Sequence, residues 1–154
     1  MNLTPQRFDR ANYPASFRIL PRFNDVDVNG HLNNAAIGAI YEEARLQMHL
    51  QLFGPQVLSN RNSASTVVTD VRILFLLPAT YPAPLSIFAA VSSIADKSYV
   101  VCFALYQEES CIGFCESTMM RVVGGKAIAL QSDYASRLST LSMSVSKEGV
   151  PDPR

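Results

Sequence analysis

One segment of this chain has a helical pattern that continues for about five turns, and extended apolar runs dominate the sequence after it. Within residues 34–53, apolar side chains recur at spacings of three and four, at Ala36, Ile37, Ile40, Tyr41, Ala44, Met48 and Leu52. Asn33 or Asn34 can cap the start of this segment, and Gly54-Pro55 ends it. The sequence therefore predicts a single long amphipathic helix.

Five other segments have the composition or the alternation of β-strands. The first is predicted at 17–23, ahead of the helix, and a long strand is predicted at 67–77. Three apolar runs follow at 85–95, 98–108 and 111–123, separated by polar pairs at hairpin distance. We expect strands two to five to form an antiparallel meander, so the fold class is α+β with a five-stranded antiparallel sheet.

The length of 154 residues fits a single domain spanning 1–154. Residues 1–16 are predicted to form an irregular N-terminal arm, residues 132–142 a short helix, and residues 143–154 a loose C-terminal tail. Charged residues make up 17% of the chain, against roughly 25% in an average soluble domain. We therefore expect one face of the sheet to be covered by another subunit.

Charge and cysteine usage argue against several classes of protein. Thirteen basic residues balance thirteen acidic ones without a basic stripe, so we expect no nucleic-acid partner. The uncharged stretch between Arg72 and Asp96 contains three prolines, which favours two strands and a loop over a membrane span. The charged residues 7–10 do not fit a signal peptide, and neither a CxxC pair nor a histidine cluster occurs. We expect a cytoplasmic protein with reduced cysteines, no membrane partner and no metal.

The loop before the helix carries residue types that catalysis can use. It follows the pattern D-x-D-x-x-G-H-x-N-N from Asp25 to Asn34. The first N–H groups of a helix have no internal partner and stabilise negative charge, such as a carbonyl oxygen that becomes an oxyanion. A carboxylate just ahead of them can attack that carbonyl or deprotonate a water molecule. Such loops are also common as caps and turns, so a purely structural role stays open.

The same loop resembles the signature of a known family. Residues 22–34, continuing to Glu42-Glu43-Ala44-Arg45, resemble that of the 4-hydroxybenzoyl-CoA thioesterase-like branch of the hotdog-fold acyl-CoA thioesterases. Residues 71–79 resemble the second strand of that family, and residues 94–99 resemble its turn between strands three and four. The resemblance implies a hotdog fold, in which the five-stranded antiparallel sheet wraps around one long central helix. It also implies that two subunits join their sheets, with the active sites at the subunit interface.

The resemblance also implies the catalytic groups. Asp27 matches the catalytic carboxylate of the family, acting as nucleophile or general base. Asn34, next to Asn33 at the helix start, matches the position whose backbone N–H polarises the thioester carbonyl.

Three other loop residues are expected to position these groups. Asp25 matches a position that is usually acidic without being catalytic, and we expect it to brace the loop together with His31. Gly30 would let the backbone approach a ligand closely. If Asp25 and Asp27 point the same way, their repulsion would raise a carboxyl pKa.

Four further positions are candidate substrate contacts. Ile37 stands where the family often has tyrosine, which predicts a more apolar acyl pocket and argues against an aromatic acyl group. Ser98 could touch the thioester or the pantetheine arm, although turn chemistry explains it equally well. Arg61 and Arg72 are candidate contacts for the nucleotide phosphates.

Two helix glutamates, Glu42 and Glu43, lie where another branch of the fold has its catalytic glutamate. A salt bridge to Arg45 or to a neighbouring strand is the plainer interpretation.

The sequence thus predicts a homodimeric or homotetrameric acyl-CoA thioesterase that converts acyl-CoA and water to a carboxylic acid and coenzyme A. No cofactor is expected, because coenzyme A is part of the substrate. Two alternatives stay open. One is a hotdog acyl-CoA hydratase or dehydratase, whose helix motif is spaced differently, and the other is a non-catalytic acyl-binding module.

Overall fold

The predicted long helix is present in the computed structural model, which describes residues 3–58 and 64–144. Helix α1 spans Asn34–Phe53. The Asn33 side chain caps its start, because its Oδ1 accepts a hydrogen bond from the backbone N–H of Ala36 at 2.7 Å. Gly54 ends the helix with a φ of 76°, in the left-handed region that favours glycine. The predicted bounds are confirmed.

A single antiparallel sheet contains every strand of the described residues. The elements in chain order are β1 (Ala15–Ile19), α1, β2 (Ser65–Phe75), β3 (Leu85–Ile94), β4 (Ser98–Gln107), β5 (Ser110–Val123), β6 (Lys126–Ala127) and α2 (Ser132–Ser139). The strands are ordered β1-β3-β4-β5-β2, and the short β6, which the sequence pattern did not predict, pairs with the end of β5. The α+β class and the antiparallel sheet around one long helix are confirmed.

The position of β2 corrects the expected meander. Strands β3, β4 and β5 form one, but β2 pairs with β5 instead of β3. Two-residue turns can only join neighbouring antiparallel strands, whereas the connection from β2 to β3 is the longer, proline-rich loop 76–84. That loop carries the chain across the sheet. Strand β2 therefore becomes an edge strand.

Strand β1 also differs from its predicted bounds of 17–23. It covers Ala15–Ile19 and pairs with β3. Pro21 lacks the N–H that a ladder needs, and a 3-10 turn at Phe23–Asp25 follows it. The last four predicted strand residues thus belong to the loop that approaches α1.

The two faces of the sheet are covered differently. Helix α1 packs on one face and forms the main core with residues that include Ile37, Ile40, Tyr41, Ala44, Met48, Ile87, Val101, Phe103, Leu105 and Cys115. On the opposite face, the N-terminal arm covers a smaller cluster, and the Phe8 ring meets Phe114 edge-on at 4.9 Å. The arm forms two 3-10 turns before β1. Part of the surface for which we expected another subunit is therefore covered by the chain itself.

The C-terminal part of the described chain closes the core. Leu138 of α2 is fully buried, and the Tyr134 ring stacks on Phe53 at 4.0 Å. Beyond α2, the Met143 N–H donates to the Val91 carbonyl at 2.9 Å, so the predicted loose tail begins with an ordered contact. The rest of that tail, 145–154, lies outside the described residues. No helix in the part of the chain that the structure describes is long and apolar enough to cross a membrane.

The helix cap provides a test of how the start of α1 is held. Replacing Asn33 by alanine should lower the free energy of unfolding by roughly 1–2 kcal/mol, because the Ala36 N–H loses its acceptor. Asn33 Nδ2 also donates to the Asp25 carbonyl at 2.9 Å. Asn33→Ser keeps an acceptor without that donor and should fall between the two in urea denaturation. Equal stability of all three proteins would contradict the proposed cap.

Candidate active site

The loop before α1 is a closed structure held by its own backbone. The Asp27 N–H donates to the His31 carbonyl at 2.8 Å, and the Gly30 N–H donates to the Asp27 carbonyl at 3.1 Å. Gly30 has a φ of 78°, and a Cβ built there would meet nothing within 4 Å. The turn therefore requires glycine for its backbone conformation. The expected close approach to a ligand is not what makes glycine necessary here.

Asp25 ties the beginning of this loop to the start of the helix. Its buried carboxylate accepts hydrogen bonds from the Arg22 backbone N–H at 2.7 Å and from the Arg22 guanidinium at 2.9 Å. Its backbone carbonyl accepts from the Asn33 N–H at 2.8 Å. These Arg22 hydrogen bonds, the side-chain one foremost, lower the pKa of the Asp25 carboxyl below its usual value.

Asp27 lies at the tip of the loop and is half-exposed. Its Oδ1 accepts hydrogen bonds from the backbone N–H groups of Asn29 at 2.7 Å and His31 at 3.2 Å. These bonds, the one from Asn29 foremost, lower the pKa of the Asp27 carboxyl. The expected repulsion with Asp25 is wrong, because each carboxylate has its own donors and both pKa values are lowered. Asp27 is thus charged at neutral pH.

The start of α1 presents two unbonded N–H groups beside this carboxylate. The Ala36 N–H is taken by the Asn33 side chain, and the Ile37 N–H donates to the Asn33 carbonyl at 3.0 Å. Among the described residues, the N–H groups of Asn34 and Ala35 have no acceptor. Both residues are exposed or half-exposed. Two N–H groups at a helix start can stabilise an anionic oxygen.

Asp27, His31, Asn34 and Ile37 line one cleft of about 280 Å³. Its other wall is apolar and comes from Phe75, at the end of β2, and from the loop and strand residues Leu32, Leu76, Leu77, Pro78, Ala79 and Ile112. The cleft thus brings a charged carboxylate, free N–H donors and an apolar wall together.

The remaining candidates lie away from this cleft. Ser98 begins β4 opposite Met120, at the other end of the sheet from Ile112. Arg72 is exposed on the side of β2 opposite to Ile73, which faces α1, and its Nε is 3.2 Å from the Asp70 carboxylate. The structure therefore brings neither to Asp27, and one face of the sheet and one end of β4 explain why. Arg61 lies outside the described residues.

The helix glutamates make local contacts. Glu42 pairs with Arg45, and Glu43 accepts a hydrogen bond from Gln47 at 2.8 Å. The salt bridge expected from the spacing of Glu42 and Arg45 is confirmed.

A second cavity, of about 420 Å³, lies at the other end of α1 and was missed from the sequence. It is lined by polar groups of α1, β2, β5 and α2, among them Glu42, Arg45, His49, Thr66, Arg121, Asp133, Tyr134 and Arg137. Burial lowers the pKa of His49 to about 4, so this histidine is neutral. Arg45 and His49, four residues apart in an apolar helix pattern, were the available signal. The other groups come from distant parts of the chain.

The described residues contain no group of three or more histidine, cysteine, aspartate or glutamate side chains that could hold a metal ion. Cys102, Cys111 and Cys115 are free thiols.

Solved structures with the same architecture include thioesterases. The chain is similar to the PA5185 protein of Pseudomonas aeruginosa PAO1, with a TM-score of 0.79 and 18% identity over 89% of this chain and 97% of that one. It is similar to a predicted thioesterase of Bacillus stearothermophilus, with a TM-score of 0.77 and 18% identity over 85% and 98%. A thioesterase of Thermus thermophilus, complexed with coenzyme A and zinc, gives 0.75 and 21% over 84% and 95%. At these identities the similarity shows a shared fold.

The sheet curled around α1 is therefore a hotdog-like thioesterase fold, as the sequence resemblance implied. The model of the Thioesterase-like superfamily matches residues 21–138, and the chain belongs to this superfamily. No curated protein matches the sequence.

The ion pair of Asp25 gives a pH-dependent test. Asp25→Asn should lower the free energy of unfolding at pH 7 by roughly 1–2 kcal/mol, because the charge-assisted bonds to Arg22 are weakened. The folded-state pKa lies below 3.8, so the advantage of the wild type is present above pH 3.8 and is lost as the pH falls through the folded-state value. Urea denaturation from pH 7 to pH 2.5 measures the difference. Asp96→Asn, at an exposed turn, is the matched control and should show no such convergence.

Proposed function

We propose that this protein is an acyl-CoA thioesterase that hydrolyses an acyl-CoA to a carboxylic acid and coenzyme A. The observation that carries the proposal is the shared cleft of the charged Asp27 carboxylate and the unbonded N–H groups of Asn34 and Ala35. Thioester hydrolysis needs a group that attacks or activates water and a donor for the oxyanion. The membership of the superfamily supports the same chemistry.

In the proposed reaction, the thioester carbonyl oxygen accepts hydrogen bonds from the N–H groups at the start of α1. Asp27 either attacks the carbonyl carbon, giving an anhydride that water hydrolyses, or takes a proton from the water that attacks. Coenzyme A leaves as its thiolate in both routes and is then protonated. Because a thiolate is a good leaving group, His31 has no required proton to deliver. We assign His31, Asp25 and Gly30 to holding the loop.

Asp27 is the residue whose change tests this chemistry. Asp27→Asn keeps the size of the side chain and an oxygen acceptor for the loop N–H groups, but it removes the nucleophile or base. We expect kcat on the best acyl-CoA substrate to fall by roughly 10²–10⁴-fold, with folding preserved. A thiol-trapping assay of released coenzyme A measures it.

The control for this change is Asp25→Asn, which should alter stability more than rate. Near-normal turnover by Asp27→Asn would reject the assignment. A deeper loss of rate in Asp25→Asn at unchanged stability would move the catalytic role to that residue. Hydration of crotonyl-CoA, or saturable acyl-CoA binding without turnover, would instead favour the hydratase or the binding module.

We further propose that the functional form is a homodimer joined along β2. This edge strand is 11 residues long and exposes Val67, Val68, Val71 and Phe75, an arrangement that invites pairing. Full antiparallel overlap with a second copy puts the two-fold axis at Asp70, the middle residue. Each Asp70 is then diagonal to Arg72 of the partner subunit, so the charges are complementary across the axis. The apolar face expected to be covered is thus this edge.

The dimer is tested by a charge placed in the middle of β2. The wild type should have twice the chain mass of 16.9 kDa in light scattering. Val71→Asp should give a monomer with little activity, since an unpaired charge would be buried at the interface. Val123→Asp is the matched control, because Val123 is exposed to a similar extent, 43% against 46%, but lies on β5. A monomeric wild type at micromolar concentration would contradict the proposal.

A further inference from the structure

The larger cavity, at the end of α1, contains a cation without a carboxylate partner. Arg45 is paired with Glu42 and donates to the Ser117 hydroxyl at 2.9 Å. Arg121 donates to the Thr66 hydroxyl at 3.3 Å and lies 4.4 Å from the centre of the Tyr134 ring. Among the described residues, no carboxylate lies within ion-pair distance of Arg121. A positive group that faces an open cavity in this way suits an anionic ligand.

A chain of hydrogen bonds holds the wall around Arg121. His49 Nε2 is 2.6 Å from the Tyr99 hydroxyl, which is 3.2 Å from the Tyr134 hydroxyl. The Tyr134 hydroxyl is in turn 3.0 Å from the Thr66 hydroxyl that Arg121 contacts. His49 is neutral and can donate or accept in this chain. The frame is therefore preorganised, and no step of the proposed hydrolysis within one chain uses it.

The two cavities lie at opposite ends of β2. Thr66 and Val68, near its start, line the larger cavity, and Phe75, its last residue, lines the Asp27 cleft. In the proposed dimer the β2 strands run antiparallel about Asp70, so the start of one strand lies beside the end of the other, at a strand spacing of about 4.8 Å. The Asp27 cleft of each subunit is then continuous with the larger cavity of its partner.

We infer that the larger cavity receives the far end of the acyl group bound in the partner's Asp27 cleft, and that this end carries a carboxylate which pairs with Arg121. This rests on the proposed thioesterase function and dimer. The substrate class is the mono-coenzyme A thioester of a dicarboxylic acid. Its methylene chain would pass Ile37 and Phe75, which line the apolar part of the cleft. Glu42 and Asp133 also line the larger cavity and disfavour a more highly charged group such as a phosphate.

Acyl groups of equal length with and without the terminal charge test the inference. The wild type should hydrolyse adipoyl-CoA with a higher kcat/KM than hexanoyl-CoA, and glutaryl-CoA with a higher one than pentanoyl-CoA. Arg121→Gln should lower kcat/KM for the charged substrates by roughly 10- to 100-fold, because a charge-assisted hydrogen bond is lost. Hydrolysis of hexanoyl-CoA should stay within a few-fold, which also shows that the variant folds.

Two further variants make the result specific to this position. Arg121→Lys keeps the charge and should restore part of the preference for adipoyl-CoA. Arg18→Gln removes an exposed cation from β1, at the opposite edge of the sheet, and should change neither substrate. An equal loss on both substrates in Arg121→Gln, or no preference in the wild type, would overturn the inference while the proposed function stands. A wild type without turnover of any of these thioesters would overturn the proposed function itself.

Mixed dimers test whether the two cavities come from different subunits. Asp27→Asn and Arg121→Gln chains carrying different tags are expressed together, and the mixed dimer is purified through both tags. One of its two sites then combines an intact Asp27 with an intact Arg121 of the partner subunit. Turnover of adipoyl-CoA should rise well above that of either parent, toward half of the wild type. If Arg121 served the cleft of its own subunit, the mixed dimer would show no such recovery.

Discussion

The attachment of Asn33 to its surroundings is the interaction on which the candidate site depends. Its side chain caps α1 through the Ala36 N–H, and both its backbone N–H and its Nδ2 donate to the Asp25 carbonyl. One residue thereby fixes where the helix begins and where the loop before it returns. Because the cap uses Ala36, the N–H groups of Asn34 and Ala35 are left to face the cleft. The cap creates a place for an anionic oxygen next to a carboxylate held by its own loop.

Local signals predicted the fold well where a short stretch of chain determines the outcome. The bounds of α1 follow from a polar cap, a period of three to four and a closing glycine. The hairpins that join β3, β4 and β5 follow from two-residue polar turns. The pairing of β2 with β5 could not be predicted in this way, since it depends on the path of the loop 76–84 across the sheet. Strand alternation reports which side chains are buried but not which strand is the neighbour.

The same division applies to the site. The cleft around Asp27 was predicted because its polar residues lie within one loop and the first turn of α1. The expected repulsion of Asp25 and Asp27 failed, because the sequence does not reveal that Arg22 and the loop N–H groups bond to the two carboxylates separately. The larger cavity combines Thr66, Arg121 and Tyr134, which are distant in sequence. Only the curvature of the sheet and the docking of α2 bring such groups together.

Helix α1 links the two cavities of one chain, with Ile37 beside Asp27 and with Arg45 and His49 at the other cavity. These lie too far apart along the helix, at about 1.5 Å per residue, for a short acyl group to reach both within one subunit. A two-fold axis in the middle of β2 reverses one chain relative to the other and removes this separation. Strand β2 has the features that such an arrangement requires, since it is long, unpaired on one side and apolar where it is exposed. On this view the low charge content of the chain reflects an edge that completes the acyl pocket as well as the sheet.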